Sequence, residues 1–96
     1  MDHLFVVSYD IAEPKRWRRV FRIMKGYGEW IQLSVFQCRL TRARVAQLEA
    51  ELREAMNQRE DHVLIIDVGP AEGVRLRIQS LGKATFQVLQ REAVIV

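Results

Sequence analysis

An α+β sandwich, with two helices on one face of an antiparallel sheet, is the fold class this 96-residue chain predicts. Three observations carry the prediction. Apolar, β-prone runs occupy residues 3–9, 29–40 and 61–68; two amphipathic segments of helical period separate them; and Pro14, Gly28 and Gly69-Pro70 punctuate the boundaries.

His3 to Tyr9 is almost continuously apolar, which suits a strand buried on both faces at a sheet centre. Pro14 fits the first position of a helix, where its missing N–H is no loss. Trp17, Val20, Phe21 and Met24 then follow at helical spacing as the inward stripe. Gly28 is the expected left-handed cap. Glu29 to Leu40 reads as extended, but twelve residues are long for one strand. A hairpin or bulge is expected to interrupt it, although no Asn-Gly or Asp-Gly pair says where. Thr41 is the expected N-cap of a second helix, with Val45, Leu48, Leu52 and Met56 inward, Glu49, Glu51, Arg53 and Glu54 outward, and an end near Gln58. Asp61 or His62 opens a strand, Val63 to Val68, that Gly69-Pro70 stops. Val74 to Ile78 alternates strictly and predicts a strand with one wet face; beyond a loop at Gly82-Lys83, Ala93 to Val96 is a last apolar run. The order βαββαβ with an additional C-terminal strand is that of the ferredoxin-like sandwich, as one domain over residues 1–96.

Composition bounds the function. At 49% apolar and 28% charged residues the chain is no disordered segment, and its length buries roughly two-thirds of the unfolded surface in one core. No apolar run approaches the ~18 residues of a membrane span, and Met1-Asp2-His3-Leu4 lacks the basic start of a secretory signal. A cytoplasmic protein without membrane contact is expected. Cys38 has no second cysteine to pair with, which agrees with a reducing compartment and a half-buried strand thiol. His3, His62 and Asp67 show no metal-ligand spacing and read as structural.

The net charge of +3 hides an asymmetry. Through Arg44 there are nine Lys/Arg against four Asp/Glu, and beyond it six against eight. Lys15, Arg16, Arg18, Arg19 and Arg22 follow one another with no acid between them. Codon bias explains an Arg-rich chain but not this clustering; phosphate relieves the repulsion, so nucleic acid is the expected partner.

Asp10 ends the first strand where the chain turns toward the basic helix. It reads either as a turn former satisfied by backbone N–H groups or as a carboxylate at a strand-end cleft. One Asp is a poor Mg²⁺ site, but the apolar terminus Val94-Ile95-Val96 needs covering, and a dimer with its tail paired across the two-fold supplies that. Two copies of Asp10 facing each other near the two-fold would bridge a divalent ion against a phosphodiester. Tyr9 orients that site, stacks on a nucleotide or packs in the sheet; Ser34 bonds a phosphate, holds Asp10 or caps its own turn; Phe36 is a core residue or a nucleic-acid contact.

Tyr9-Asp10-Ile11, the basic helix, Tyr27-Gly28, Gln32-x-Ser34-Val35-Phe36, the Leu/Arg-rich second helix, Gly82 and the apolar tail together resemble the CRISPR-associated protein two family, the small partner of the CRISPR integrase. The likeness spans essentially the whole chain. It implies a ferredoxin-like homodimer whose tail, about residues 90–96, pairs with the partner protomer's sheet. It further implies that Asp10 matches the family's metal-binding aspartate, with Mg²⁺ or another divalent cation such as Mn²⁺ as cofactor. Two roles follow from the resemblance: metal-dependent endonuclease on RNA or DNA, with Asp10, Tyr9 and Ser34 at the catalytic centre, and a bridge between integrase dimers that holds spacer DNA. Lys15, Arg16, Arg18, Arg19, Arg22 and Phe36 are the expected nucleic-acid contacts. Gln37, where the family often has Glu, and Trp30, where a basic residue is common, depart from the pattern and bear on cleavage more than on DNA binding. Two other classes share the fold: a stand-alone toxin-type endoribonuclease, and a non-catalytic nucleic-acid-binding module, whose exposed aromatic pairs the strands lack.

Overall fold

The computed structural model describes residues 1–82. Six elements follow in order: β1 (His3–Asp10), α1 (Pro14–Lys25), β2 (Glu29–Gln32), β3 (Val35–Leu40), α2 (Arg42–Ala55) and β4 (His62–Pro70). The strands form one antiparallel sheet in the order β2-β3-β1-β4, the expected βαββαβ sandwich with β1 at its centre. The run Ala93–Val96 and its pairing across a two-fold lie outside the described residues.

Pleating divides β1 between two environments. Phe5, Val7 and Tyr9 join the core beneath the helices, with Val20 and Met24 of α1, Phe36 and Cys38 of β3, and Leu48 and Leu52 of α2. Leu4, Val6, Ser8 and Asp10 face the side without helices. Leu4 is nonetheless fully buried. Its cross-strand partner Arg39 donates to the carbonyls of Ala71 (3.0 Å) and Val74 (3.2 Å) and ties the turn after β4 across that end of the sheet.

Both helices start as their sequences require. Glu13 caps α1 by accepting from the Arg16 N–H at 2.8 Å, and Thr41 caps α2 by accepting from the Arg44 N–H at 3.1 Å. α2 stops at Ala55, close to the expected end.

Three expectations are corrected. Gly28 is not the helix cap: Gly26 takes that place with φ −79°, and Gly28 instead lets the chain close onto β3. Gly69-Pro70 ends β4 from within and not after Val68: the strand runs to Pro70, opposite His3, and as an edge strand it has a side that demands no N–H, while a bulge near Leu4 with Gly69 at φ 120° absorbs the irregularity. Val74 to Ile78 alternates in burial but forms no strand. Leu76 and Ile78 line a groove of about 330 Å³ with Val6, Ile31 and Val35, so their period reports a face laid over the sheet, with only an isolated bridge at Ile78. The interruption expected in Glu29–Leu40 falls at Leu33-Ser34, with Leu33 at φ 39°.

Candidate active site and nucleic-acid interface

The end of β1 is built by three separate anchors. Tyr9 donates its N–H to the Ser34 carbonyl at 3.1 Å, which extends sheet bonding past the last β1–β3 pair. Ile11 buries its side chain. Ala12 donates its N–H to Asp61 Oδ1 at 2.9 Å. Asp10 stands among these anchors, exposed, opposite His62 on β4. Cross-strand partners share a face, so Asp10 lies on the helix-free side with Ser8 and Val6 and with His62, Leu64 and Ile66.

That side is apolar beyond what a solvated sheet requires. Leu64, Ile66 and Val68 are each between 42% and 50% exposed, on a strand whose outer edge has no partner among the described residues.

Tyr9 points the other way. Its ring is buried, 6.3 Å from Phe36 and 6.2 Å from Trp17 between centroids, and burial drives its hydroxyl pKa upward. Ser34 pulls weakly in the opposite direction, yet makes no well-formed hydrogen bond to the Tyr9 hydroxyl, whose buried oxygen has no such partner among the described residues. The Ser34 Oγ is engaged by Trp17 Nε1, which donates to it at 2.9 Å. The structure therefore brings Tyr9 and Ser34 together beneath the site and sets Asp10 on the opposite face. Phe36 has no exposed surface, which corrects the expectation that it touches nucleic acid: its place is the core. Gln37 pairs with Val6 on β1 and Glu29 on β2, away from the strand end that carries Asp10.

The basic helix separates into two sets. Lys15, Arg18, Arg19, Arg22 and Lys25 are exposed, and Lys15, Arg18 and Arg22 share one stripe with no ion-pair partner among the described residues. Arg19 lies 3.8 Å from Glu54, an exposed pair of little energetic weight. Arg16 differs. Its Nε donates to Asp61 Oδ2 at 2.8 Å, and its Nη2 to Glu60 at 2.9 Å and to Asp61 Oδ1 at 3.3 Å. Asp61, with a fully buried side chain, also accepts from the Asn57 N–H at 2.7 Å. The Arg16 guanidinium foremost, then the Asn57 and Ala12 amides, outweigh desolvation and hold its carboxyl at about 2. Nothing local marks this network beyond a strand beginning near Asp61, because Arg16 and Ala12 lie 45 and 49 residues from Asp61.

Among the described residues no three His, Cys, Asp or Glu side chains converge as a ligand set. At this strand end Asp10 offers a single exposed carboxylate, whereas Mg²⁺ is usually held by one or two carboxylates with several waters retained. No described helix is long and apolar enough to cross a membrane.

Residues 3–76 match the family model described as CRISPR associated protein Cas2. The chain is 56% identical over 96 residues to a protein of Geobacter sulfurreducens named CRISPR-associated endoribonuclease Cas2, each covered completely. It is 55% identical over 95 residues to a Rhodospirillum rubrum protein named CRISPR-associated endoribonuclease Cas2 1, with 99% of this chain and 92% of the relative covered. A crystal structure described as cas2 superposes with a TM-score of 0.73 at 29% identity, over 88% of this chain and 92% of the other.

Proposed function

The chain belongs to the CRISPR-associated Cas2 family, and from that premise we propose that it works as a homodimeric, metal-dependent endoribonuclease whose site is a pair of Asp10 carboxylates. The single observation that carries this reading is the placement of Asp10. It is exposed at the end of the central strand, on the same face as the apolar Val6, Leu64 and Ile66. Covering that face with a second copy removes apolar surface from water and turns two Asp10 side chains toward a common axis.

In this site each residue has a limited task. The paired Asp10 carboxylates would hold Mg²⁺ or Mn²⁺, which when bound polarises the phosphodiester as a Lewis acid. Tyr9 and Ser34 act from beneath: the bond from the Tyr9 N–H to the Ser34 carbonyl and that from Trp17 Nε1 to Ser34 Oγ fix the strand that carries Asp10. Lys15, Arg18, Arg19 and Arg22 bind phosphate and fix the strand's register without reading sequence.

The basic stripe favours a second role, in CRISPR spacer acquisition, as a bridge between integrase dimers that holds duplex DNA. That role needs the dimer and the stripe but not the metal. Family membership sets aside the stand-alone toxin-type reading.

Cleavage of labelled single- and double-stranded RNA and DNA by wild type and Asp10→Asn, with Mg²⁺ and with EDTA, separates the two roles. Metal-dependent cleavage lost in the variant supports the nuclease. Nucleic-acid binding without cleavage by either protein leaves the bridge alone. Equal cleavage by both removes Asp10 from the site.

A further inference from the structure

Arg16 lies in the run of cations on α1, yet its surroundings do not suit a phosphate contact. Its guanidinium faces two carboxylates, Asp61 and Glu60, so the local charge is net negative once all three groups are counted. Its side chain is 25% exposed, against 51% for Arg19 on the same helix.

Asp61 is saturated. Oδ1 accepts from the Ala12 N–H and Arg16 Nη2, and Oδ2 from Arg16 Nε and the Asn57 N–H. This joins three pieces of chain: the turn after β1, the first turn of α1 and the loop that enters β4. The two ends of the network flank one point. Ala12 is two residues beyond Asp10, with buried Ile11 between them, and Asp61 immediately precedes His62, the cross-strand partner of Asp10.

We propose that Arg16 and Asp61 are positioning residues for Asp10: the fork of Arg16 holds the Asp61 carboxylate so that it pins the Ala12 amide, and the clip fixes the strand end from which the Asp10 carboxylate projects. This rests on the reading of Asp10 as the site, but its geometry can be tested separately. Arg16 then reads as part of the scaffold, and Lys15, Arg18, Arg19 and Arg22 as the phosphate-binding set.

The test compares full-length wild type with Arg16→Gln, Arg16→Lys and, as a phosphate-contact control, Arg18→Gln. Arg16→Gln leaves Asp61 with two backbone donors; Arg16→Lys keeps the charge but loses the fork, and stands in should the first variant fold poorly. Three quantities are read: the salt dependence of duplex DNA binding, hydrogen exchange at the Ile11 and Ala12 amides, and kcat and KM for RNA cleavage. Both Arg16 variants should keep the wild-type salt slope, whereas Arg18→Gln lowers it by about 0.9. Both should raise Ala12 exchange by about tenfold or more while leaving the central Val7 amide unchanged. Where wild type cleaves, kcat should fall by about tenfold or more at constant KM, and lysine should not rescue it. Unchanged Ala12 exchange, or a slope that falls in Arg16→Gln as in Arg18→Gln, overturns the proposal. So does faster exchange with undiminished kcat. A wild type that cleaves nothing removes the nuclease reading, and exchange and slope then decide the clip without it.

Discussion

Gly28 packs against Cys38 so closely that a methyl group on Gly28 would stand 2.4 Å from the cysteine sulfur and 2.4 Å from the Gln37 carbonyl oxygen. Neither neighbour can easily yield. Cys38 is buried in β3, where burial also pushes its thiol up to about 11, and the carbonyl belongs to the sheet backbone. Gly28→Ala should therefore destabilise the fold by about 2 kcal/mol, as overpacking does. Adding Cys38→Ala should recover only part of that, because the carbonyl clash persists. Urea unfolding of the single and double variants measures both, and a Gly28→Ala protein as stable as wild type would mean that the Tyr27–Glu29 backbone can retreat.

That glycine also shows what the sequence can and cannot convey. A glycine after an amphipathic helix is most simply a cap, and only the tertiary approach of β3, ten residues on, gives Gly28 its actual role. The hairpin in Glu29–Leu40 is expected from its length, but its position at Leu33-Ser34 is hidden for a similar reason. No turn-forming pair marks it; Trp30 Nε1 donates to the Leu33 carbonyl at 3.0 Å and Trp17 to Ser34 Oγ, so side chains from elsewhere hold it. Local signals were sufficient where local physics decides. Pro14, Thr41 and the helical stripes located both helices, and the apolar run before Asp10 located the central strand and the exposed carboxylate at its end. His3 and Asp67, read as structural, share a 2.8 Å hydrogen bond between His3 Nδ1 and Asp67 Oδ1 across β1 and β4. The Asp61 network could not be read in this way, since a buried ion pair between residues 45 apart leaves no periodic trace.

Asp61 gives stability a predictable acid limit. Arg16 and the backbone amides hold its folded carboxyl at about 2, against an ordinary 3.8, so the folded state keeps the charge at acidities where the unfolded chain has already taken up a proton. The stabilisation is complete above pH 4 and is lost as pH falls toward 2, an effect on the order of 2 kcal/mol. Denaturant midpoints between pH 5 and pH 2 should fall steeply in wild type. Asp61→Asn, weaker from the outset, should show a flatter profile over that range, and parallel profiles would remove Asp61 from the acid transition.

The exposed stripe of α1 should act additively. Lys15, Arg18 and Arg22 project from one side of the helix without ion-pair partners among the described residues, so each is available to displace a counterion from a polyphosphate. Arg18→Gln with Arg22→Gln should weaken duplex binding and reduce the slope of log K against log salt by about 1.8, twice the effect of one contact. Fluorescence anisotropy from 50 to 200 mM salt, a range of roughly the span used for such slopes, measures it. An unaltered slope would place the polyanion on another surface.

The apolar face and the carboxylate make a joint prediction. If cleavage requires two Asp10 side chains, it requires the interface that brings them together, and Ile66 lies in that face opposite Val6 and about half exposed. A charge there meets water in the monomer but would be buried against apolar surface in the proposed dimer, where an unpaired ion is costly. Ile66→Lys should fold, because the side chain does not enter the helix-covered core, and should sediment as a monomer at concentrations where wild type is dimeric. Its cleavage should then fall with Asp10 intact, to the level of Asp10→Asn. The complementary experiment mixes wild type with an excess of Asp10→Asn and allows exchange: one missing carboxylate per dimer should suppress activity well beyond dilution. A monomeric Ile66→Lys that cleaves at the wild-type rate would show that one Asp10 is enough, and would detach the chemistry from the two-fold altogether.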